Sequence, residues 1–262
     1  MINQYQVKYY AYELSKKAAS DSLEKFGTTL MDAKVELNPH QVEAALFAFK
    51  SPYSKGVILA DEVGLGKTIE AGILLSQKWA EGKRKILIIC PSSLRKQWVN
   101  ELEDKFYLKA EVLDNVSYKK KSKAGIKNPF DSELTIKICS YEFAKKCAEE
   151  IQLTSWDLVV IDEAHYLRNA YKQGNVIAQT IQKAIKDYKK VLLTATPLQN
   201  RLDELYGLVS FIDSEIFGDI KSFRRNYILE SRNSDINDLK ERLRPIVHRT
   251  LRKDVKEFIN YR

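Results

Sequence analysis

The chain has 262 residues, 44% of them apolar, with a formal net charge of +8 and a pI of about 9.1. That length holds one α/β domain with extensions or two small domains, and that apolar share excludes global disorder. The basic balance fits a polyanionic partner or merely a basic surface, and charge alone does not choose between them.

Residues 1–35 predict a helical extension without chemistry. The opening MINQYQVKYY has no apolar h-region, and no apolar run approaches the ~20 residues a membrane span needs. A cytoplasmic protein without a membrane partner is expected. Asn38 followed by Pro39 is a cap with proline in the first turn, and Val42, Ala45, Leu46 and Phe49 follow at helical spacing. Short, continuously apolar runs then recur: GVILA (56–60), KILIIC (85–90), LTIKIC (134–139), DLVVID (157–162) and KVLLTA (190–195), with a weaker one, AEVLD, at 110–114. Runs of this kind mark strands buried on both faces, as in a parallel sheet covered by helices.

Between the runs lie helical stripes. Pro91-Ser92-Ser93 caps one with Leu94, Trp98, Leu102 and Phe106 on a single face. Ile177, Ile181, Ala184, Ile185 and Tyr188 form another. Residues 115–131 are polar, lysine-rich and aperiodic, and predict an exposed loop. Residues 213–262 carry no strand signal and read as helices. The expected fold class is α/β: a mostly parallel sheet flanked by helices over residues 36–212, with a C-terminal helical protrusion over 213–262. The three cysteines, Cys90, Cys139 and Cys147, form no CxxC pair, so neither a zinc ribbon nor a redox motif is indicated.

The loop after the first run reads Asp61-Glu62-Val63-Gly64-Leu65-Gly66-Lys67-Thr68 and opens a helix. Strand, glycine loop, Lys-Thr and helix together are the setting of a phosphate-binding loop. Its amides would turn around phosphate oxygens, Lys67 would reach the β and γ phosphates, and Thr68 would offer its hydroxyl to Mg²⁺. The loop departs from the usual GxxxxGK[ST], because Asp61 stands where glycine is expected.

The run Leu158–Ile161 leads straight into Asp162-Glu163-Ala164-His165. Ligands of open parallel sheets sit beyond the carboxyl ends of strands, which places this pair near the phosphate loop. Asp162 would hold Mg²⁺, directly or through water, and Glu163 would polarise an attacking water. His165 would sense the γ-phosphate.

The segments DEVGLGKT and DEAH together resemble helicase superfamily two. Leu37-Asn38-Pro39-His40-Gln41 looks like the family's adenine-reading segment, which implies base contact by Gln41 with His40 beside it. CPSSLRKQW (90–98) and Ser140-Tyr141-Glu142 resemble its backbone-contacting blocks. LTATPLQN (193–200) resembles the block coupling the two sites, which implies coupling roles for Thr194, Thr196 and Gln199, and His165 of DEAH would pass on the signal it senses.

The version is Swi/Snf-like, on TATPLQNRLDELYGLVSFI and the closing LRPIVHRTLRKDV, and it leans to the bacterial RNA-polymerase-recycling branch. The resemblance implies the RecA-like first lobe of an ATP-driven translocase on double-stranded DNA. It implies Mg²⁺ with ATP as substrate, a second RecA-like lobe as partner, and RNA polymerase or another DNA-bound complex as cargo. Low turnover is expected from the one lobe. An RNA helicase or restriction-enzyme motor, and a non-hydrolysing nucleotide-dependent scaffold, are the alternatives.

Ser92, Ser93, Arg95 and Lys96 at one helix start, and Ser140 and Tyr141 at another, suit phosphate contact as well as ordinary capping. Lys119, Lys120, Lys121, Lys123 and Lys127 suit either DNA phosphates or a solvated insertion.

Overall fold

The computed structural model describes residues 34, 37–51, 55–172, 174–195, 201–229 and 233–255. The extension expected over 1–35 therefore lies, Lys34 apart, outside the described residues, as do Thr196 and Gln199.

In chain order the elements are α1 (Pro39–Lys50), β1 (Gly56–Leu59), α2 (Lys67–Ala80), β2 (Ile86–Cys90), α3 (Arg95–Phe106), β3 (Ala110–Val112), α4 (Asn115–Lys123), β4 (Ile136–Ser140), α5 (Tyr141–Lys146), α6 (Ala148–Leu153), β5 (Leu158–Ile161), α7 (Val176–Ala184), β6 (Lys190–Leu193), α8 (Leu202–Ile212), α9 (Ile220–Arg224), α10 (Asn233–Leu243) and β7 (Val247–His248). The strands form one seven-stranded sheet in the order β3-β4-β2-β5-β6-β1-β7, and every pairing is parallel.

The continuous apolar runs explain this sheet. Side chains of a strand alternate between faces, so a strand covered on both sides needs apolar residues at every position. Ile58, Leu87, Ile89, Val159, Ile161 and Leu192 pack on one face against residues of α5 to α8. Val57, Leu59, Ile86, Ile88, Val160, Val191 and Leu193 pack on the other against α1, α2 and α3. The stripe predicted on α3 is the buried one: Trp98, Leu102 and Phe106 all face this second core. The three cysteines are free and buried. No described helix is long and apolar enough to cross a membrane.

Two segments differ from expectation. The stretch 115–131 is not all loop, because Asn115–Lys123 forms α4. The helix has no fully buried residue; Tyr118 alone packs against the first core, and the start is capped by Asp114 Oδ1, which accepts from Val116 N at 3.0 Å and Ser117 N at 2.9 Å. Phe130, at the end of the same stretch, is fully buried. Within 213–255, Val247–His248 forms β7, an edge strand beside β1, although two residues give no periodic signal.

Candidate nucleotide and nucleic-acid sites

Parallel pairing puts the carboxyl ends of all strands on one rim. Leu59 of β1 is in register with Leu193 of β6, and Ile161 of β5 with Leu192. The loops leaving β1 and β5 therefore start two strands apart, roughly 10 Å by sheet spacing. Thr194, fully buried, leaves β6 between them, and its N–H donates to Leu59 O at 3.0 Å.

The phosphate loop has the backbone its sequence calls for. Gly64 has φ 85° and Gly66 φ 92°, values that disfavour any side chain. At Gly66 a Cβ would also come within 2.3 Å of the Gln41 amide nitrogen. Lys67 begins α2, and its Nζ donates to Asp61 O at 3.0 Å across the loop. His40 Nε2 lies 3.0 Å from Leu65 O, and Gln41 Nε2 donates to the same carbonyl at 2.9 Å. Gln41 Oε1 accepts from Asn38 N at 3.1 Å, completing the reciprocal cap of α1. Both residues predicted to lie at the base thus grip the phosphate loop itself.

Asp162 is anchored twice. Trp98 Nε1 donates to its Oδ2 at 2.8 Å, and Glu163 N donates to its Oδ1 at 2.8 Å. Burial pushes its pKa above the usual carboxylate range, while the Trp98 bond and the nearby Lys67 charge oppose this. Glu163 is left-handed, φ 51° and ψ 48°, an uncommon backbone for a residue with a side chain. Tyr141 holds it there: its hydroxyl donates to Asp162 O at 2.6 Å and Glu163 O at 3.3 Å. His165 Nδ1 lies 2.9 Å from Glu163 Oε2, close in distance though outside hydrogen-bond geometry. The His165 ring stacks on Tyr166 with centroids 4.6 Å apart.

The residues predicted to touch a nucleic-acid backbone, Lys96 apart, gather around two neighbouring hollows. One, of about 420 Å³, is lined by Ser92, Ser93, Tyr141 and Tyr166 among others. The second, of about 410 Å³, is lined by Arg95, Ser140 and Lys146, with Asp114 and Asn115. Glu142 borders both and adds a negative charge. Lys96 is exposed. The Ser140 hydroxyl caps α5 by accepting from Phe143 N at 3.2 Å, and Arg95 Nε donates to Ser92 O at 3.0 Å. Lys121 of the lysine-rich stretch pairs with Glu111 at 2.7 Å, while Lys119, Lys120, Lys123 and Lys127 are exposed. A further cavity of about 510 Å³, lined by Lys55, Lys186 and Asp213 among others, contains none of the motif residues.

A family model described as the SNF2-related domain matches residues 6–260. The chain belongs to this family. Over 220 residues this SNF2-related domain is 37% identical to the uncharacterized ATP-dependent helicase YqhH of Bacillus subtilis, covering 82% of this chain and 36% of YqhH. It is 34% identical over 216 residues to the RNA polymerase-associated protein RapA of Proteus mirabilis, covering 80% of this chain and 22% of RapA. The chain thus spans 36% and 22% of the length of these two relatives. Among solved structures, the Sulfolobus solfataricus SWI2/SNF2 ATPase core in complex with dsDNA aligns with a TM-score of 0.71 at 25% identity, over 87% of this chain and 47% of that one. The Swi/Snf-like resemblance and the RecA-like parallel sheet expected from the sequence both hold.

Two residues of this SNF2-related domain join the site without having been singled out. Trp98 was legible as part of a helical stripe and as the end of CPSSLRKQW, but not as a partner of Asp162; a buried indole N–H needs an acceptor, and here that acceptor is Asp162. Glu70, one turn into α2, is fully buried beside Asp61. Burial, then the neighbouring Asp61 carboxylate, push its pKa up to about 9, against a downward pull from Lys67. Asp61 Oδ2 and both Glu70 carboxyl oxygens have no other partner, so a proton held on one Glu70 oxygen and donated to Asp61 Oδ2 satisfies two of the three.

Proposed function

We propose that this chain is the nucleotide-binding lobe of a DNA-stimulated ATPase that translocates on double-stranded DNA. The observation that carries the reading is that the loops bearing Lys67 and Asp162 leave the sheet at one rim, two strands apart, with Glu163 held next to Asp162 in a strained backbone. Lys67 would bind the β and γ phosphates, and the amides of Gly64–Thr68 would wrap them. The hydroxyl of Thr68 and the carboxylate of Asp162 are hard oxygen donors that would hold Mg²⁺, which would supply positive charge against the phosphates. Asp162 is already oriented by Trp98 and the Glu163 amide, so little rearrangement is needed. Glu163 would orient the attacking water. Tyr141 bonds the backbone of this pair and also lines the hollow that holds Ser92 and Ser93, giving the two sites a shared wall.

Duplex DNA is the nucleic acid favoured, because the Sulfolobus core that this fold matches is in complex with dsDNA. RNA polymerase, or another DNA-bound complex, is the favoured cargo by similarity to RapA. A second RecA-like lobe is proposed to complete the site with arginine, a contribution of about 10³–10⁵ in related enzymes, so the 262-residue chain should turn over slowly by itself.

The test is binding of a fluorescent ATP analogue with Mg²⁺, followed by hydrolysis with duplex DNA and with RNA once a second lobe is supplied. Lys67→Ala should abolish binding. Glu163→Gln should bind like the unmodified chain while hydrolysis falls by about 10²-fold or more. Turnover surviving that substitution removes Glu163 from the chemistry, and stimulation by RNA but not by duplex DNA overturns the DNA reading.

A further inference from the structure

The segment after α10 runs back along the phosphate loop and bonds to it residue by residue. Ile246 O accepts from Ile58 N at 2.7 Å, His248 O from Ala60 N at 2.7 Å and Thr250 O from Glu62 N at 3.2 Å. Strand pairing therefore continues past the end of β1 onto the loop. The loop answers with its side chains: Asp61 Oδ1 accepts from Thr250 N at 2.8 Å, and Glu62 Oε2 from Arg252 N at 2.8 Å. Arg252 then clamps the next residue, with Nε donating to Val63 O at 2.9 Å and Nη2 to the same oxygen. Its guanidinium crowds Gly64, where a Cβ would lie 2.8 Å from Nη2.

These contacts explain why a carboxylate stands where phosphate loops usually carry glycine. Asp61 is fully buried, and one of its oxygens is the receptor for the returning segment while the other faces Glu70. A loop whose amides must point inward gains affinity when its conformation is fixed beforehand, since less ordering remains to oppose binding. Two structures that fix each other are also linked: whatever strengthens one strengthens the other by the same factor.

We propose that Ile246–Arg252 is a strap that sets the phosphate loop in its nucleotide-binding shape, with Asp61 and Arg252 as positioning residues, so that nucleotide occupancy and strap docking are coupled. The proposal rests on the reading of Gly64–Thr68 as a nucleotide site. It makes the stretch of chain leading out from β7 a participant in nucleotide binding, although none of it lies in the phosphate motif.

The experiment uses the 262-residue chain, a fluorescent ADP with Mg²⁺, and amide hydrogen exchange. In the unmodified chain, Mg²⁺-ADP should slow exchange of the Thr250 and Arg252 amides by about tenfold and leave β3 unchanged. Arg252→Ala, at an exposed side chain, should raise the Kd for ADP by about fivefold, and Asp61→Ala by about fivefold to tenfold. Asp61→Asn keeps an acceptor for Thr250 N and offers an amide to Glu70, so it should stay within about twofold of the unmodified chain. Should Asp61→Ala not fold, Arg252→Ala and the exchange of the unmodified chain decide. A strap that is only a structural tie would give unchanged ADP affinity in Arg252→Ala and no response of Thr250 and Arg252 to nucleotide, and that result overturns the proposal. If the unmodified chain shows no ADP binding that depends on Lys67, the nucleotide site falls and the strap with it.

Discussion

Trp98 and Glu70 show how single side chains prepare the rim for charge. The Trp98 indole bonds a carboxylate, and a hydrogen bond to a charged group is worth about 1.5–3 kcal/mol. Trp98→Phe keeps most of the packing and loses the bond. It should lower stability by about 1–3 kcal/mol and reduce kcat more than nucleotide affinity, read from urea unfolding and steady-state kinetics. An unchanged kcat would dismiss Trp98 as the group that orients Asp162. Glu70 makes a pH prediction. It holds its proton in the folded chain up to about pH 9, whereas its ordinary value is 4.5. Between those values the folded state binds the extra proton, so stability declines as pH rises, by at most about 1.4 kcal/mol per pH unit. Glu70→Gln has no proton to lose. Its Tm advantage over the unmodified chain should grow from about pH 5 to about pH 9, measured without nucleotide or Mg²⁺. A constant difference across that range would contradict the proton held on Glu70. The shared rim of the Lys67 loop and the Asp162–Glu163 turn was legible because Gly-x-Gly-Lys-Thr and a strand-ending Asp-Glu each announce a strand's carboxyl end in local sequence. The Asp61–Thr250 and Tyr141–Glu163 bonds were not, because they join residues far apart in the chain.

Helices and strands were legible where burial dictates them and obscure where capping or pairing does. The strands β1, β2, β4, β5 and β6 fall within or against the apolar runs. By contrast α4 offers the core only the half-buried Tyr118 and is started by the Asp114 cap, and β7 is two residues held by their neighbour β1. The end of α3 yields a prediction of its own. Tyr107 closes that helix in the left-handed region, φ 54° and ψ 26°, with 67% of its surface exposed. Glycine adopts this conformation without a steric penalty and is the commonest residue there. Since little ring surface is buried, Tyr107→Gly should raise stability by up to about 1 kcal/mol, seen as a higher urea midpoint. A lower midpoint would mean that the exposed ring contributes more than the backbone relief.

Across the whole molecule, the net charge of +8 counts only where phosphate can reach it. Arg95 and Lys96 stand at the start of α3 beside the hollows walled by Ser92, Ser93 and Ser140, whereas Lys121 is already tied to Glu111. Replacing Arg95 and Lys96 by glutamine should weaken duplex DNA binding and flatten its salt dependence by about 0.9 for each phosphate no longer neutralised. Replacing Lys119, Lys120 and Lys123 together should leave the salt slope unchanged, and a slope that falls with these three would move the DNA path onto α4. The uniform strand direction has a practical corollary. Reactive loops all leave the sheet by one rim, so the turns entering the strands at the opposite rim are free of that work. Gly82, in the turn before β2, has a φ of 81° that disfavours a side chain, but the next residue, Lys83, is exposed and carries no such strain. A dye, spin label or affinity handle attached there would report on the molecule from a place where it obstructs neither nucleotide nor DNA.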